Sequence, residues 1–208
     1  MSLAPVIDIL YTNPEAKAAC NAILDAGSSC QSIIEIGSRG GVSGIAALQA
    51  LCLGKKTWRP SLTCVDLIHD ETIVKLQEFS EALGIFFQFV QGHSADLPLF
   101  EADGLLWDSF HTAANLCHDL NRLSPWIHKY IFVLGIKVHG LQSEAVQRGL
   151  DLENTAKELR VSSANIEKGL IWAVEHFLES HPEWSKVNQI GELIILKRVS
   201  ANPQWLFS

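Results

Sequence analysis

The sequence predicts an α/β protein whose sheet is mainly parallel, doubly wound and completed by an antiparallel hairpin. Five short apolar runs alternate with segments of helical periodicity, which is typical of parallel sheets covered on both faces. Near the C-terminus, two further apolar runs are separated only by Gly191-Glu192, a hairpin-type turn. The seven predicted strands are 33–36, 62–67, 86–91, 105–108, 130–134, 184–190 and 193–198.

Helices are predicted between the strands. Asn13-Pro14-Glu15 favours a helix start, because Asn accepts free amide hydrogens, Pro lacks one and Glu suits the positive helix end. Residues 140–165 are polar, and we expect them to form a partly helical cap rather than a core element. The predicted helices are 14–26, 42–53, 71–83, 112–123 and 166–180.

The composition favours one globular domain. With 208 residues, of which 48% are apolar, the chain can build one sizeable core, so we expect a single domain over 1–208 with an N-terminal helical segment at 1–30. The net charge of −7 and the lack of a basic, aromatic-rich run argue against nucleic acid as a partner. Without a signal-like N-terminus or a long apolar stretch, we expect a cytoplasmic protein with no membrane partner. A homo-oligomer is left open.

A glycine-rich loop follows the first predicted strand. Residues 35–41 read Glu-Ile-Gly-Ser-Arg-Gly-Gly, and glycines permit a tight turn and a close approach of backbone to ligand. The spacing Gly-x-x-Gly-Gly differs from the Gly-x-Gly-x-x-Gly of dinucleotide enzymes, which disfavours a nucleotide-dependent oxidoreductase. Because the loop lies between a strand and a helix, we interpret it as a cofactor loop, although such turns also occur for packing alone.

Polar residues also follow the second and third strands. In doubly wound sheets, ligands bind beyond the carboxyl ends of the strands, where the chain order reverses. Asp66 ends the second strand, where an acid can accept hydrogen bonds from ribose hydroxyls; alternatively, it caps the next helix. His93 and Ser94 follow the third strand and would lie against an adenine; alternatively, they are an ordinary polar strand end.

An acid and an imidazole follow the fourth strand. Asp108 and His111 are three residues apart, close enough to converge on one atom if the segment becomes helical. Such a pair could bind a metal or relay a proton. The alternative is that His111 caps or packs against a helix start.

Together these motifs resemble class I S-adenosylmethionine-dependent methyltransferases, in the branch with sugar and macrolide O-methyltransferases and cephalosporin-hydroxylase-like proteins. The resemblance is carried by 34–43, 65–66, 92–94, 107–112 and the closing segments 169–174 and 181–184. It implies a Rossmann-like, seven-stranded sheet, S-adenosylmethionine as cofactor and a small-molecule acceptor. The residues expected at the cofactor are Glu35, Gly37, Ser38, Gly40, Gly41, Asp66, His93, Ser94 and Asp108.

The sequence departs from this branch after strand five. Members often hold magnesium with an acid after strand four and a polar pair after strand five, where this chain has Leu134-Gly135. Asp108 alone cannot supply the several oxygen ligands that magnesium requires, and neighbours such as His111 or His139 would suit a transition metal better.

The resulting expectation is O-methylation of a small molecule without magnesium and with no assigned metal site. Asp108 and His111 are the expected catalytic residues. A catalytically inactive binding or scaffolding protein of the same fold is the alternative.

Overall fold

The computed structural model describes residues 13–38, 41–54 and 57–199, and these form one seven-stranded sheet with helices on both faces. The strands lie in the order β3-β2-β1-β4-β5-β7-β6. The strands are β1 Ser32–Ile36, β2 Ser61–Asp66, β3 Phe86–Gln91, β4 Ala102–Trp107, β5 Ile127–Val133, β6 Trp184–Ile190 and β7 Leu193–Arg198. The helices are α1 Pro14–Gly27, α2 Val42–Leu53, α3 Glu71–Ala82, α4 Ala113–Leu123, α5 Ile136–His139, α6 Glu144–Gln147, α7 Leu152–Leu159 and α8 Leu170–Ser180.

The topology confirms the predicted doubly wound sheet. Strands β3, β2, β1, β4 and β5 are parallel, whereas β7 pairs antiparallel with both β5 and β6. The chain first adds β2 and β3 on one side of β1 and then returns to add β4 on the other. The strand order therefore reverses between β1 and β4, and a crevice is expected beyond their carboxyl ends.

Both faces of the sheet are buried, which explains the nearly continuous apolar runs in the strands. Ile33 and Phe132 contact the core formed with α1 and α2. Ile34 and Ile131 point the other way, into the core formed with α4 and α8. Successive strand residues therefore serve opposite cores, as the two-residue period of a strand requires.

The predicted start of the last helix, Ile166, is wrong, because α8 begins at Leu170. Gly169 precedes it as the N-cap, and a side chain there would overlap the backbone of Gly140. Lys168 forms an isolated antiparallel bridge with Gln142 instead of continuing the helix. Ile166 instead belongs to a small buried cluster that contains Ala156 of α7.

The segment 140–165 contains the two short helices α6 and α7. Each helix is capped at its start by a side-chain oxygen that accepts a hydrogen bond from an amide of the first turn. Ser143 accepts from the amide of Val146, and Asp151 accepts from the amide of Asn154. These caps are the local sequence signal for helices in a stretch that is otherwise polar. Among the helices of the described ranges, none has the length and hydropathy needed to cross a membrane.

Candidate active site

The carboxyl ends of β1 to β4 surround a cavity of about 320 Å³, at the lower end of the range for small-molecule sites. Its position agrees with the crevice expected at the reversal of strand order. It contains six of the residues expected from the sequence: Gly37, Asp66, His93, Ser94, Asp108 and His111. Ser38 and Gly41 belong to the adjoining loop without lining the cavity, and Gly40 lies outside the described residues.

Gly37 sets the distance between the loop and the end of β4. Its φ of +81° lies in the left-handed region, and a Cβ there would overlap the carbonyl group of Asp108. Only glycine combines this backbone conformation with such a close approach. The side of the cavity formed by Gly37 is therefore bare backbone.

Glu35 departs from the expected direct cofactor contact, because its carboxylate lies behind the loop and is fully buried. It accepts hydrogen bonds from the hydroxyl groups of Ser38 (3.0 Å) and Ser43 (2.7 Å) and from the thiol of Cys64 (3.0 Å). Burial raises the pKa of Glu35 to about 7, although these hydrogen bonds oppose the shift. Glu35 therefore ties the loop to α2 and β2 and does not face the cavity.

Asp66 lines the cavity and also holds the loop. Its carboxylate accepts hydrogen bonds from the amides of Ser38 (2.8 Å) and Ile68 (3.1 Å). The alternative of a cap on the next helix is wrong, because the amides of Thr72 and Ile73 at the start of α3 donate to Asp70.

His93 and Ser94 form the third side of the cavity. Nδ1 of His93 accepts a hydrogen bond from the amide of Ala95 (3.1 Å). Burial lowers the pKa of His93, which favours its neutral form. Beneath this turn, the buried carboxylate of Asp119 accepts a hydrogen bond from Nε1 of Trp107 (2.8 Å).

Asp108 and His111 come together without forming a helix, since α4 begins only at Ala113. Nε2 of His111 lies 3.4 Å from Oδ1 of Asp108. On its other side, Nδ1 of His111 lies 3.0 Å from Oε2 of Glu144, which also accepts the amide of His111. The alternative of a helix cap for His111 is wrong, because Thr112 caps α4.

The charges around His111 favour its protonated form. Burial alone would lower the pKa of His111, but hydrogen bonding and the charges of Asp108 and Glu144 outweigh it and raise the pKa. The pKa of Glu144 is lowered, since burial is outweighed by His111 and by the guanidinium of Arg148, 3.0 Å away.

Gly135, which stands where a polar residue was expected, makes room for His111. Its φ is +82°, and a Cβ there would overlap Cδ2 and Nε2 of the imidazole. On the far side, the ring of His139 stacks on His111, with ring centroids 4.6 Å apart. The imidazole thus occupies the space that a side chain at position 135 would take.

The sequence prediction missed several cavity residues, of which Glu144 is the most important. It is 33 positions from His111, inside a segment whose composition is simply polar, so no local spacing links the two. Leu67 and Ile68 at the cavity mouth and Leu159 from α7 were also missed. The available sequence signal was the apolar pair Leu67-Ile68 directly after Asp66. In the structure these two residues are 63% and 66% exposed.

The chain matches no protein-family model and no curated protein sequence. It does match solved structures, among them an O-methyltransferase from Bacillus cereus in complex with SAH, with a TM-score of 0.56 and 13% identity over 95% of this chain and 90% of the other. The magnesium protoporphyrin IX methyltransferase of Synechocystis, with bound SAH, has a TM-score of 0.57 and 12% identity over 95% and 88%. The N-methyltransferase NodS of Bradyrhizobium japonicum matches with a TM-score of 0.56 and 10% sequence identity, over 92% of this chain and 98% of the other.

The fold is that of the class I methyltransferases. At these identities the similarity concerns the fold, and the fold alone does not determine the chemistry of the site.

The buried carboxyl of Glu35 predicts a pH dependence of stability in this methyltransferase fold. Between pH 4.5 and 7 the unfolded chain loses the proton of Glu35 whereas the folded protein retains it, so the free energy of unfolding falls as the pH rises. Glu35→Gln removes this dependence. Between pH 5 and 8, the free energy of unfolding of the wild type should therefore fall by about 2–3 kcal/mol relative to that of the variant, measured by urea denaturation. A constant difference across this range would contradict the raised pKa.

The packing of His111 over Gly135 predicts coupling between the two positions. Gly135→Ala should cost about 1–2 kcal/mol for the left-handed backbone, with a further cost for displacing the imidazole. In a His111→Ala background the further cost should vanish, so a double-mutant cycle by chemical denaturation should give a coupling of about 1 kcal/mol. Additive effects would show that the ring does not rest on this glycine.

Proposed function

We propose that this protein is an S-adenosylmethionine-dependent methyltransferase that methylates a hydroxyl group of a small molecule without magnesium. The observation that carries the proposal is the arrangement at the strand-order reversal. There, the bare backbone of Gly37, the carboxylate of Asp66 and the Asp108–His111 pair line one cavity. Gly37 and Asp66 suit a nucleoside cofactor, and the Asp108–His111 pair suits an acceptor that loses a hydroxyl proton.

The cofactor side of the cavity is formed by the loop and by Asp66. Gly37 allows the ligand to approach the backbone closely, and its position against the carbonyl group of Asp108 leaves no room for a side chain. The carboxylate of Asp66 is anchored by two amides and faces the cavity, as a ribose-binding acid must. His93 and Ser94 would lie against the base.

The acceptor side is formed by Asp108 and His111. The cofactor supplies a methyl group bonded to a positively charged sulfur, and the carbon–sulfur bond breaks as the acceptor oxygen bonds to that carbon. The acceptor proton must leave at the same stage. Asp108 would take it, and His111, whose raised pKa favours the charged form, would orient the hydroxyl. Leu159 and Glu144 would cover the acceptor from the segment 140–165.

Independence from magnesium is supported by the donor set. Magnesium prefers near-octahedral oxygen coordination, usually with several waters. Near Asp108, strand β5 is followed by Leu134 and Gly135, neither of which has a side-chain oxygen. The side chain that pairs with Asp108 is the imidazole of His111, a nitrogen donor.

The same missing pair favours one other function, a catalytically inactive protein that binds the cofactor or a related ligand. The two functions share the cofactor subsite and differ only in turnover. A ligand titration therefore tests the subsite, and kinetics separate the two functions.

The first prediction from this proposal concerns binding by calorimetric titration. The protein should bind S-adenosylmethionine and S-adenosylhomocysteine more tightly than NAD. Asp66→Ala should weaken binding by about 1.5–3 kcal/mol, because charge-assisted bonds to the ribose are lost.

Asp70→Ala is the matched control, because Asp70 caps α3 four residues further on. It should lower stability by about 1 kcal/mol and leave cofactor affinity unchanged. Tighter binding of NAD, or equal cofactor affinity in wild type and Asp66→Ala, would overturn the cofactor assignment.

A second prediction concerns turnover. Asp108→Asn and His111→Ala should each lower kcat by about 100-fold or more while changing cofactor affinity much less, because their work is on the acceptor. His176→Ala, an exposed position on α8, serves as the control and should retain full turnover. The measurement is methyl transfer to a panel of hydroxylated small molecules. Turnover that survives both substitutions would exclude the pair from catalysis.

A further inference from the structure

We propose that His111, His139 and Glu144 form a binding site for a transition-metal ion, with zinc as the ion that the donor set fits best. One donor atom from each residue lies within 4.8 Å of the other two. Two imidazoles and one carboxylate, with a fourth position left open, are the protein ligands of many catalytic zinc sites. This set differs from the oxygen-rich arrangement that magnesium requires.

The pair formed by His111 and Glu144 is already close to coordination geometry. Nδ1 of His111 and Oε2 of Glu144 are 3.0 Å apart. Donors at zinc-bond lengths of about 2.0–2.2 Å in a tetrahedral site are separated by about 3.4 Å. An ion can therefore replace the proton shared by these two atoms with a movement of only a few tenths of an ångström.

Nδ1 of His139 is buried without a hydrogen-bond partner among the described residues. Buried polar atoms normally have partners, so unpartnered ones point to a missing ligand or proton. An ion bound by Nδ1 of both histidines would use the free nitrogen of His139. It would also leave a proton on Nε2 of His111, which faces Asp108 at 3.4 Å.

The surroundings supply the outer interactions that metal-bound ligands usually have. A histidine ligand typically donates its second N–H to a carboxylate, and Asp108 would accept this hydrogen bond from Nε2 of His111. The second oxygen of Glu144 is held by the guanidinium of Arg148 at 3.0 Å.

Binding requires one rearrangement. The rings of His111 and His139 are stacked at 20°, and nearly parallel rings cannot direct their in-plane lone pairs at one point. The ring of His139 must therefore turn about its Cβ–Cγ bond. His139 is only half-buried, so it has room to do so.

The location connects the site to the cavity. His139 ends α5 and Glu144 begins α6, so both follow β5 closely and compensate for the missing polar pair at 134–135. His111 and Glu144 also line the cavity, so the open coordination position would face it. For this last step the inference rests on the proposed function: an ion there would polarise the acceptor oxygen, and Asp108, which is not one of the three ligands, would take its proton.

The test uses the 208-residue chain after treatment with a chelator. It is titrated with zinc by calorimetry and with cobalt by visible absorption. We expect one ion per chain and the intense visible bands of four-coordinate cobalt, with no response to magnesium at the same concentration. His139→Ala and Glu144→Gln should each weaken binding by about tenfold or more, since even outer partners of metal ligands contribute that much.

Two controls separate this site from adventitious binding. His128→Ala removes a surface histidine that is similarly paired with a glutamate, Glu101, and should leave binding unchanged. Cys52→Ser removes the exposed cysteine and should do the same. Circular dichroism of each variant establishes that it is folded.

The site is refuted if the wild-type protein binds neither ion, or if binding persists in folded His139→Ala or Glu144→Gln. Titration of the same preparation with S-adenosylhomocysteine keeps the two proposals apart. Cofactor binding without metal binding overturns only the metal site. Metal binding without cofactor binding overturns the proposed function and leaves the metal site standing.

Discussion

The close approach of Gly37 to the backbone of Asp108 is the constraint on which the rest of the site depends. The amide of Gly37 donates to the carbonyl of Val65 (2.9 Å), and the amide of Asp108 donates to the carbonyl of Ile36 (2.8 Å). These bonds tie the ends of β2, β1 and β4 together at the point where strand order reverses. Asp66 and Asp108 therefore flank Gly37, with the proposed cofactor side and acceptor side meeting at one glycine.

The electrostatics of the cavity follow from this arrangement. Its lining contains the carboxylates of Asp66, Asp108 and Glu144 and no lysine or arginine from the described residues. The negative charge is balanced by amides at Asp66 and by His111 at the other two acids. Such a cavity stabilises a positively charged ligand, which suits a sulfonium cofactor better than an anionic nucleotide.

The region after β5 shows how one small residue changes a site. Gly135 leaves a space that the imidazole of His111 fills, and the stacked ring of His139 closes the other side. Helix α6, which follows α5, then brings Glu144 to the same imidazole. Positions 134–135 therefore lack the expected oxygen donors, and a different polar group, His111, His139 and Glu144, lies beside them. These three residues come from neighbouring elements of the chain.

The sequence by itself determined the order of strands and helices, the terminal hairpin and the cavity positions of Gly37, Asp66 and Asp108. These follow from local patterns, because short apolar runs between helical segments define the strands, and parallel strands bring their carboxyl ends to one edge. The tertiary structure alone decided that Glu35 lies behind the loop, because its buried carboxylate is held by Ser43 of α2 and Cys64 of β2, which pack against β1. It also decided the partnership of His111 with Glu144 and His139, because contacts between residues far apart in the chain depend on how the helices pack and leave no local spacing in the sequence.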